Sequence, residues 1–95
     1  MNLQGIIMKT VQFKFYSDPG HGWMAVKRKM LDELGLKFTI TRYSYQKGQT
    51  VYLEEDCDAG NFMKALREQR GLEIKIVEKS TDNRSPIRSY ESYRP

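Results

Sequence analysis

The stretch Val51-Tyr52-Leu53-Glu54-Glu55-Asp56-Cys57-Asp58-Ala59-Gly60-Asn61-Phe62-Met63 starts as an apolar, extended segment. It passes through a knot of carboxylates and ends in residues with helical spacing. Val51 to Leu53 has the composition of a buried strand. Ala59, Phe62, Met63 and Leu66 form one stripe of a helix. Asp56 or Asp58 is expected to cap that helix, where a short carboxylate accepts the first free amides and complements the positive end of the dipole. The same stretch carries the only cysteine, and Glu54, Glu55, Asp56 and Asp58 are four of the 12 acidic residues.

Other segments surround this strand-to-helix junction. Val11, Phe13 and Phe15 alternate with polar residues, as on a half-buried strand. Asp18-Pro19-Gly20 breaks it, with proline presetting one turn dihedral and glycine taking a positive one. Trp23 to Val26 reads either as a strand pairing with the first or as the start of a helix. Arg28 to Leu34 reads as a helix, with Met30, Leu31 and Leu34 inward and Gly35 as its stop. Phe38 to Tyr45 and Thr50 to Leu53 read as a hairpin around Gln46-Lys47-Gly48-Gln49. Arg67 and Arg70 precede Gly71, which ends the second helix. Leu72 to Val77 alternates again, Ile74 and Ile76 facing one way.

The expected fold is therefore α+β: one antiparallel sheet with two helices on one face, in the order β-β-α-β-β-α-β. If residues 23–34 form one helix, the order becomes the β-α-β-β-α-β of a ferredoxin-like fold. With 95 residues the chain is expected to be a single domain with one small core. Residues 1–8 read as an extension ahead of it, Met8 being a second candidate start. Residues 80–95 read as an irregular segment that packs on the domain through Ile87, Tyr90 and Tyr93.

Hydrophobic residues make up 39% and charged residues 29%, the balance of a folded domain and not of a disordered chain. A lone cysteine forms no internal disulfide, which favours a reducing compartment, and the chain is expected to be cytoplasmic. No apolar run reaches the length of a membrane span. The net charge of +4 inclines the chain mildly toward acidic partners, without the dense basic stripe of a dedicated nucleic-acid binder.

The chemistry-bearing side chains fall into three groups. His21, between Gly20 and Gly22, stands at a turn where an imidazole serves as acid, base or ligand near neutral pH. Small neighbours also let backbone amides approach an anion there. The alternative is a tight turn whose histidine bonds its own loop. Cys57 sits at a helix start, which lowers a thiol pKa; the alternative is a small buried thiol. His21 with Asp18, Glu55 or Cys57 is thus the catalytic candidate set. The second group is the acidic junction, with Glu54 and Asp56 on one side and Glu55 on the other. Two of its carboxylates suffice for a divalent cation with water, but helix capping explains them more simply. One cysteine and one histidine fall short of a zinc set, so no metal and no cofactor is expected. The third group is Arg42, Tyr43, Tyr45 and Lys47 on the hairpin, with Arg84, Arg88, Tyr90, Tyr93 and Arg94 on the tail. Arginine beside tyrosine suits phosphate contact with base stacking. The alternative packs the tyrosines on the sheet and places Arg84 or Arg88 near Glu54, Glu55 or Asp56. Trp23 reads as core or as a lid at the core edge. No phosphate-binding glycine loop or dinucleotide fingerprint is present.

At Ser-Asp-Pro-Gly-His-Gly-Trp, Arg-Tyr-Ser-Tyr-Gln, Val-Tyr-Leu-Glu-Glu-Asp-Cys-Asp-Ala and Arg-Ser-Pro-Ile-Arg-Ser-Tyr, the chain resembles a family of small uncharacterised proteins of tailed bacteriophages and prophages. The likeness covers roughly residues 11–93. It implies a context in the host cytoplasm and no reaction, and it favours extended structure after the tryptophan.

On this reading the chain is a small phage accessory protein that binds a host or phage macromolecule, most readily a protein, with no membrane partner. Its binding face is expected to contain Trp23, Arg42, Tyr43, Tyr45, Glu54, Asp56, Arg84, Arg88 and Tyr90. The rival readings are a small hydrolase or transferase using His21 with an acidic or thiol partner, and a single-stranded nucleic-acid binder.

Overall fold

A computed structural model describes residues 9–95; the expected extension at 1–8 lies outside the described residues. The elements are β1 (Thr10–Ser17), β2 (Gly22–Lys27), α1 (Arg28–Glu33), β3 (Tyr45–Lys47), β4 (Thr50–Glu54), α2 (Asp58–Arg70), β5 (Glu73–Ser80), a 3₁₀ turn at Pro86–Ser89 and β6 (Glu91–Ser92). The class is α+β, with the β-β-α-β-β-α-β order of the first seven elements. Trp23 to Val26 is strand, so the ferredoxin-like alternative is not the fold.

The six strands form one sheet in the order β5-β1-β2-β4-β3-β6. It is mixed, where the sequence suggested a purely antiparallel sheet. β1–β2, β2–β4, β3–β4 and β3–β6 pair antiparallel, but β5 runs parallel to β1, with Val11 opposite Ile74 and Phe13 opposite Ile76. The reason lies in α2. Its 13 residues carry the chain about 20 Å back along the sheet, so the strand that follows runs in the same direction as β4. β1 already runs that way, because β1 and β4 are both antiparallel to β2.

Period two then sorts the side chains. Phe15, Met24 and Leu53 stand in one row across β1, β2 and β4, on the face covered by both helices. Leu31 of α1, Leu34 just after it, and Ala59, Phe62 and Leu66 of α2 join them in a single core. Phe62 is fully buried, with its ring 5.2 Å from that of Phe13 in an edge-to-face contact. Such a pair contributes about 1 kcal/mol beyond its buried area.

The second expected hairpin is much shorter than its composition suggests. β3 covers only Tyr45–Lys47, and residues 36–44 form turns instead of strand. Phe38 and Tyr43 are 80% and 79% exposed. A buried polar knot accounts for this. Thr41 N–H, Thr41 Oγ1 and Ser44 Oγ all donate to Asp58 Oδ2, at 2.9, 2.7 and 2.6 Å. Ser44 Oγ also accepts the N–H of Glu54 at 2.9 Å. These bonds displace the ladder that β-branched and aromatic residues would otherwise extend. The turn itself is two residues long, Gly48 supplying φ +61° as such hairpins require.

The opposite face of the sheet carries Tyr16, Trp23, Tyr45 and Tyr52, and the C-terminal segment lies across it. Ile87 is buried, and Tyr90 packs 5.3 Å from Tyr52. β6 then adds a further strand beyond β3. Tyr93, 3% exposed, returns to the core, its N–H donating to Ser44 O at 2.8 Å. Among the described residues no helix is long and apolar enough to cross a membrane.

Candidate functional site

The loop between β1 and β2 is organised by Asp18. Its Oδ1 accepts the N–H groups of Gly20 and His21, both at 3.0 Å. Its Oδ2 accepts the N–H of Ser85 at 2.9 Å. Arg88 grips both oxygens, Nε to Oδ2 at 2.6 Å and Nη2 to Oδ1 at 2.8 Å. This fork holds the Asp18 carboxyl far below the ordinary carboxylate range, with the three amides adding to the effect and desolvation opposing it. Asp18 is therefore a clamp for the C-terminal segment and does not serve the imidazole.

Three expectations change here. The loop amides are already bonded to Asp18, so they do not form an open anion cradle. Arg88 pairs with Asp18, and neither Arg88 nor Arg84 forms an ion pair with Glu54, Glu55 or Asp56 among the described residues. The loop glycines serve space and not a positive φ, which occurs at Gly35, Gly48 and Gly71. A Cβ on Gly22 would sit 2.5 Å from Phe15 Cε2, and one on Gly20 would sit 2.6 Å from Arg88 Nη2.

The acidic junction is built by Glu54, at the end of β4. Its Oε1 accepts the N–H groups of Cys57 at 2.7 Å and Asp58 at 2.9 Å, and its Oε2 accepts that of Asp56 at 2.8 Å. Glu54 thus caps α2, and neither expected aspartate does. Asp56 points to solvent, while Asp58 turns inward to Thr41 and Ser44. Glu54, Cys57 and Asp58 each bring one ligand atom within 4.8 Å of the others. Both Glu54 oxygens accept backbone amides, and Asp58 Oδ2 accepts from Thr41 and Ser44, but the buried Asp58 Oδ1 has no partner among the described residues. Cys57 is exposed, not buried, and its Sγ accepts from Asn61 Nδ2 at 3.5 Å.

The two corners meet. The N–H of Glu55 donates to Gly22 O at 3.1 Å, and Trp23 stands opposite Glu54 in the register of β2 and β4. A cleft of about 700 Å³ opens where they join. The His21 loop, Trp23 and Tyr45 line it together with Arg42, Tyr43, Glu54, Glu55, Asp56 and Cys57. Trp23 is 3% exposed, with the Tyr45 and His21 rings each 6.1 Å away and the Arg88 guanidinium 5.8 Å from its ring centre. Tyr90 lies outside the cleft, tilted against the Tyr52 ring and covered by Lys47 Nζ at 4.9 Å. Arg84 is exposed and also lies apart. Burial, then the neighbouring Tyr90 and Tyr16 hydroxyls, raise the Tyr52 phenol above its ordinary pKa.

His21 is exposed, and among the described residues its imidazole forms no hydrogen bond to a carboxylate or to Cys57. Sequence reasoning missed Thr41 and Ser92, which also line the cleft, and Ser44, which fixes the acidic turn from behind. Only the hydroxyl pair Thr41-x-x-Ser44, set in an otherwise strand-like run, hints at them. Set against known proteins, the chain matches no family model, no curated protein and no solved structure.

Proposed function

We propose that the protein is a binding module whose cleft receives a Lys- or Arg-bearing segment of another protein. The observation that carries this reading is the unpaired acidity of the cleft. Glu55 and Asp56 are exposed and form no ion pair among the described residues. With Glu54 they place three carboxylates against the single arginine, Arg42, in a cleft floored by Trp23 and Tyr45. Carboxylates at the rim attract and orient a cationic side chain. Aromatic rings beside them accept its alkyl stem or its charge. The chain as a whole carries +4, so this local negative charge runs against the overall sign.

The same geometry disfavours the rivals. A catalytic pair at His21 would have its imidazole bonded to a carboxylate or thiol; Asp18 is held by Arg88, Cys57 accepts from Asn61, and no bond joins His21 to Glu55 among the described residues. A single-stranded nucleic acid needs free arginines beside free rings, whereas Arg88 and Tyr90 are committed within the fold and the cleft repels phosphate. In the setting suggested by the four phage-like motifs, the protein acts as an accessory factor on a basic segment of a host or phage protein.

Trp23, the only tryptophan, reports the test. Its emission is followed against short peptides rich in Lys and Arg, peptides rich in Asp and Glu, and single-stranded oligonucleotides. The reading expects a saturable change with basic peptides alone. Saturation by oligonucleotides with a steep salt dependence, or no response to basic peptides, would overturn it.

A further inference from the structure

We infer that two copies of the chain join through the free edge of β5, antiparallel, about a twofold axis at Ile76. β5 is an outer strand of the sheet. The N–H of Glu73 donates to Lys9 O at 2.9 Å and that of Thr81 to Ser17 O at 3.0 Å. Odd-numbered peptide groups therefore face β1, and those of Ile74, Ile76, Glu78 and Ser80 face outward. Among the described residues nothing pairs with them. An open row of this kind is a template for another strand.

The side chains along the edge select the partner. Ile76 is 37% exposed and, among the described residues, is the one large apolar side chain so exposed within a strand, the others being Phe38 and Tyr43. In an antiparallel pair, outward-facing residues must lie opposite one another, which restricts self-pairing to a few registers. Centred on Val77, Lys75 meets Lys79 of the second copy twice. Centred on Lys75 or on Glu78, that residue meets itself, like charge against like. Centred on Ile76, the two Ile76 side chains meet on the helix-covered face, and Glu73 lies opposite the second copy's Lys79, and the reverse. Lys75 then lies opposite Val77, and no like charges face each other. The charges that deter other strands thus admit this one, and the two sheets become continuous with their helices on the same side.

Glu73 and Lys79 lie about 20 Å apart along one strand, so any coupling between them arises across copies. Sedimentation velocity on the full chain, up to on the order of 100 µM, where an interface of limited size registers, is expected to show a monomer–dimer equilibrium. Glu73→Lys and Lys79→Glu each place like charges opposite one another twice and should weaken the dimer about tenfold or more. The double variant Glu73→Lys/Lys79→Glu should restore it, as should an equal mixture of the two single variants. Both positions are exposed, so each variant keeps the wild-type circular dichroism. A wild-type chain that stays monomeric over the whole range, single variants that associate as the wild type does, or a mixture that stays monomeric would overturn the inference.

Discussion

Arg88 holds Asp18 in a two-pronged ion pair across 70 residues of chain, and that one contact joins the β1–β2 loop to the C-terminal segment. The Asp18 side chain is fully shielded, whereas Arg88 retains 26% exposure. The loop also takes the N–H of Ser85, so a single carboxylate fixes both the rim of the cleft and the cover of the aromatic face.

Breaking that pair should release the tail before it unfolds the domain. Arg88→Ala removes the fork and leaves the Asp18 charge shielded and unpaired. Amide exchange across residues 81–92 is expected to accelerate by on the order of tenfold or more, while the core strands keep their protection. Mass-resolved hydrogen exchange on the variant and the wild type measures it.

The same pair sets an acid limit. The folded-state pKa of Asp18 lies well below the ordinary value, so its contribution is fully present above the unfolded-state pKa of about 4 and is lost as pH falls toward the folded value. Asp18→Asn should therefore lower the melting temperature at pH 7, and the gap to the wild type should narrow below about pH 4. A thermal-denaturation series in pH checks the sign.

Two glycines in one loop should respond differently to alanine. At Gly22 the added methyl meets the ring of Phe15, which packs against the core. Overpacking of this kind costs about 1–3 kcal/mol. At Gly20 the obstacle is Arg88 Nη2, the end of a long side chain that bonds Asp18; it gives way more readily than a packed ring, and the loss should be smaller and fall on the Asp18–Arg88 pair. Urea denaturation of Gly22→Ala and Gly20→Ala gives both numbers.

Capping offers a further contrast. Glu54→Ala strips the acceptor from the first amide of α2 and from the two amides of the turn before it, and should destabilise the protein by about 1–2 kcal/mol. Asp56→Ala, at an exposed side chain with no bond of its own, should stay within about 0.5 kcal/mol of the wild type. Paired urea titrations decide between Glu54 and Asp56 as the cap.

The outline of this fold was legible because it follows from local rules. Alternation in Val11 to Phe15, helical spacing in Ala59 to Leu66 and the stops at Gly35 and Gly71 each depend on neighbours in sequence. What escaped depends on distant partners. The run from Phe38 to Tyr45 has strand composition, yet Asp58, remote in sequence, draws Thr41 and Ser44 out of the ladder. Glu54 supplants Asp56 and Asp58 as cap because its longer side chain reaches forward from the strand end. The parallel β5 follows from the length of α2 and not from any residue in the strand. Within the cleft, the residue types at His21, Trp23, Glu55 and Asp56 signalled chemistry, but the pairing of Arg88 with Asp18 and not with the junction is a matter of tertiary geometry.

The central claim is that Glu55 and Asp56 give the cleft its affinity for a cationic protein segment. The direct measurement is a Trp23 fluorescence titration with a Lys/Arg-rich peptide, comparing the wild type with Glu55→Gln/Asp56→Asn. Removing two exposed charges should weaken binding roughly five- to tenfold at low salt, with the difference shrinking as salt rises. Equal affinity of the two proteins at low salt would contradict the account.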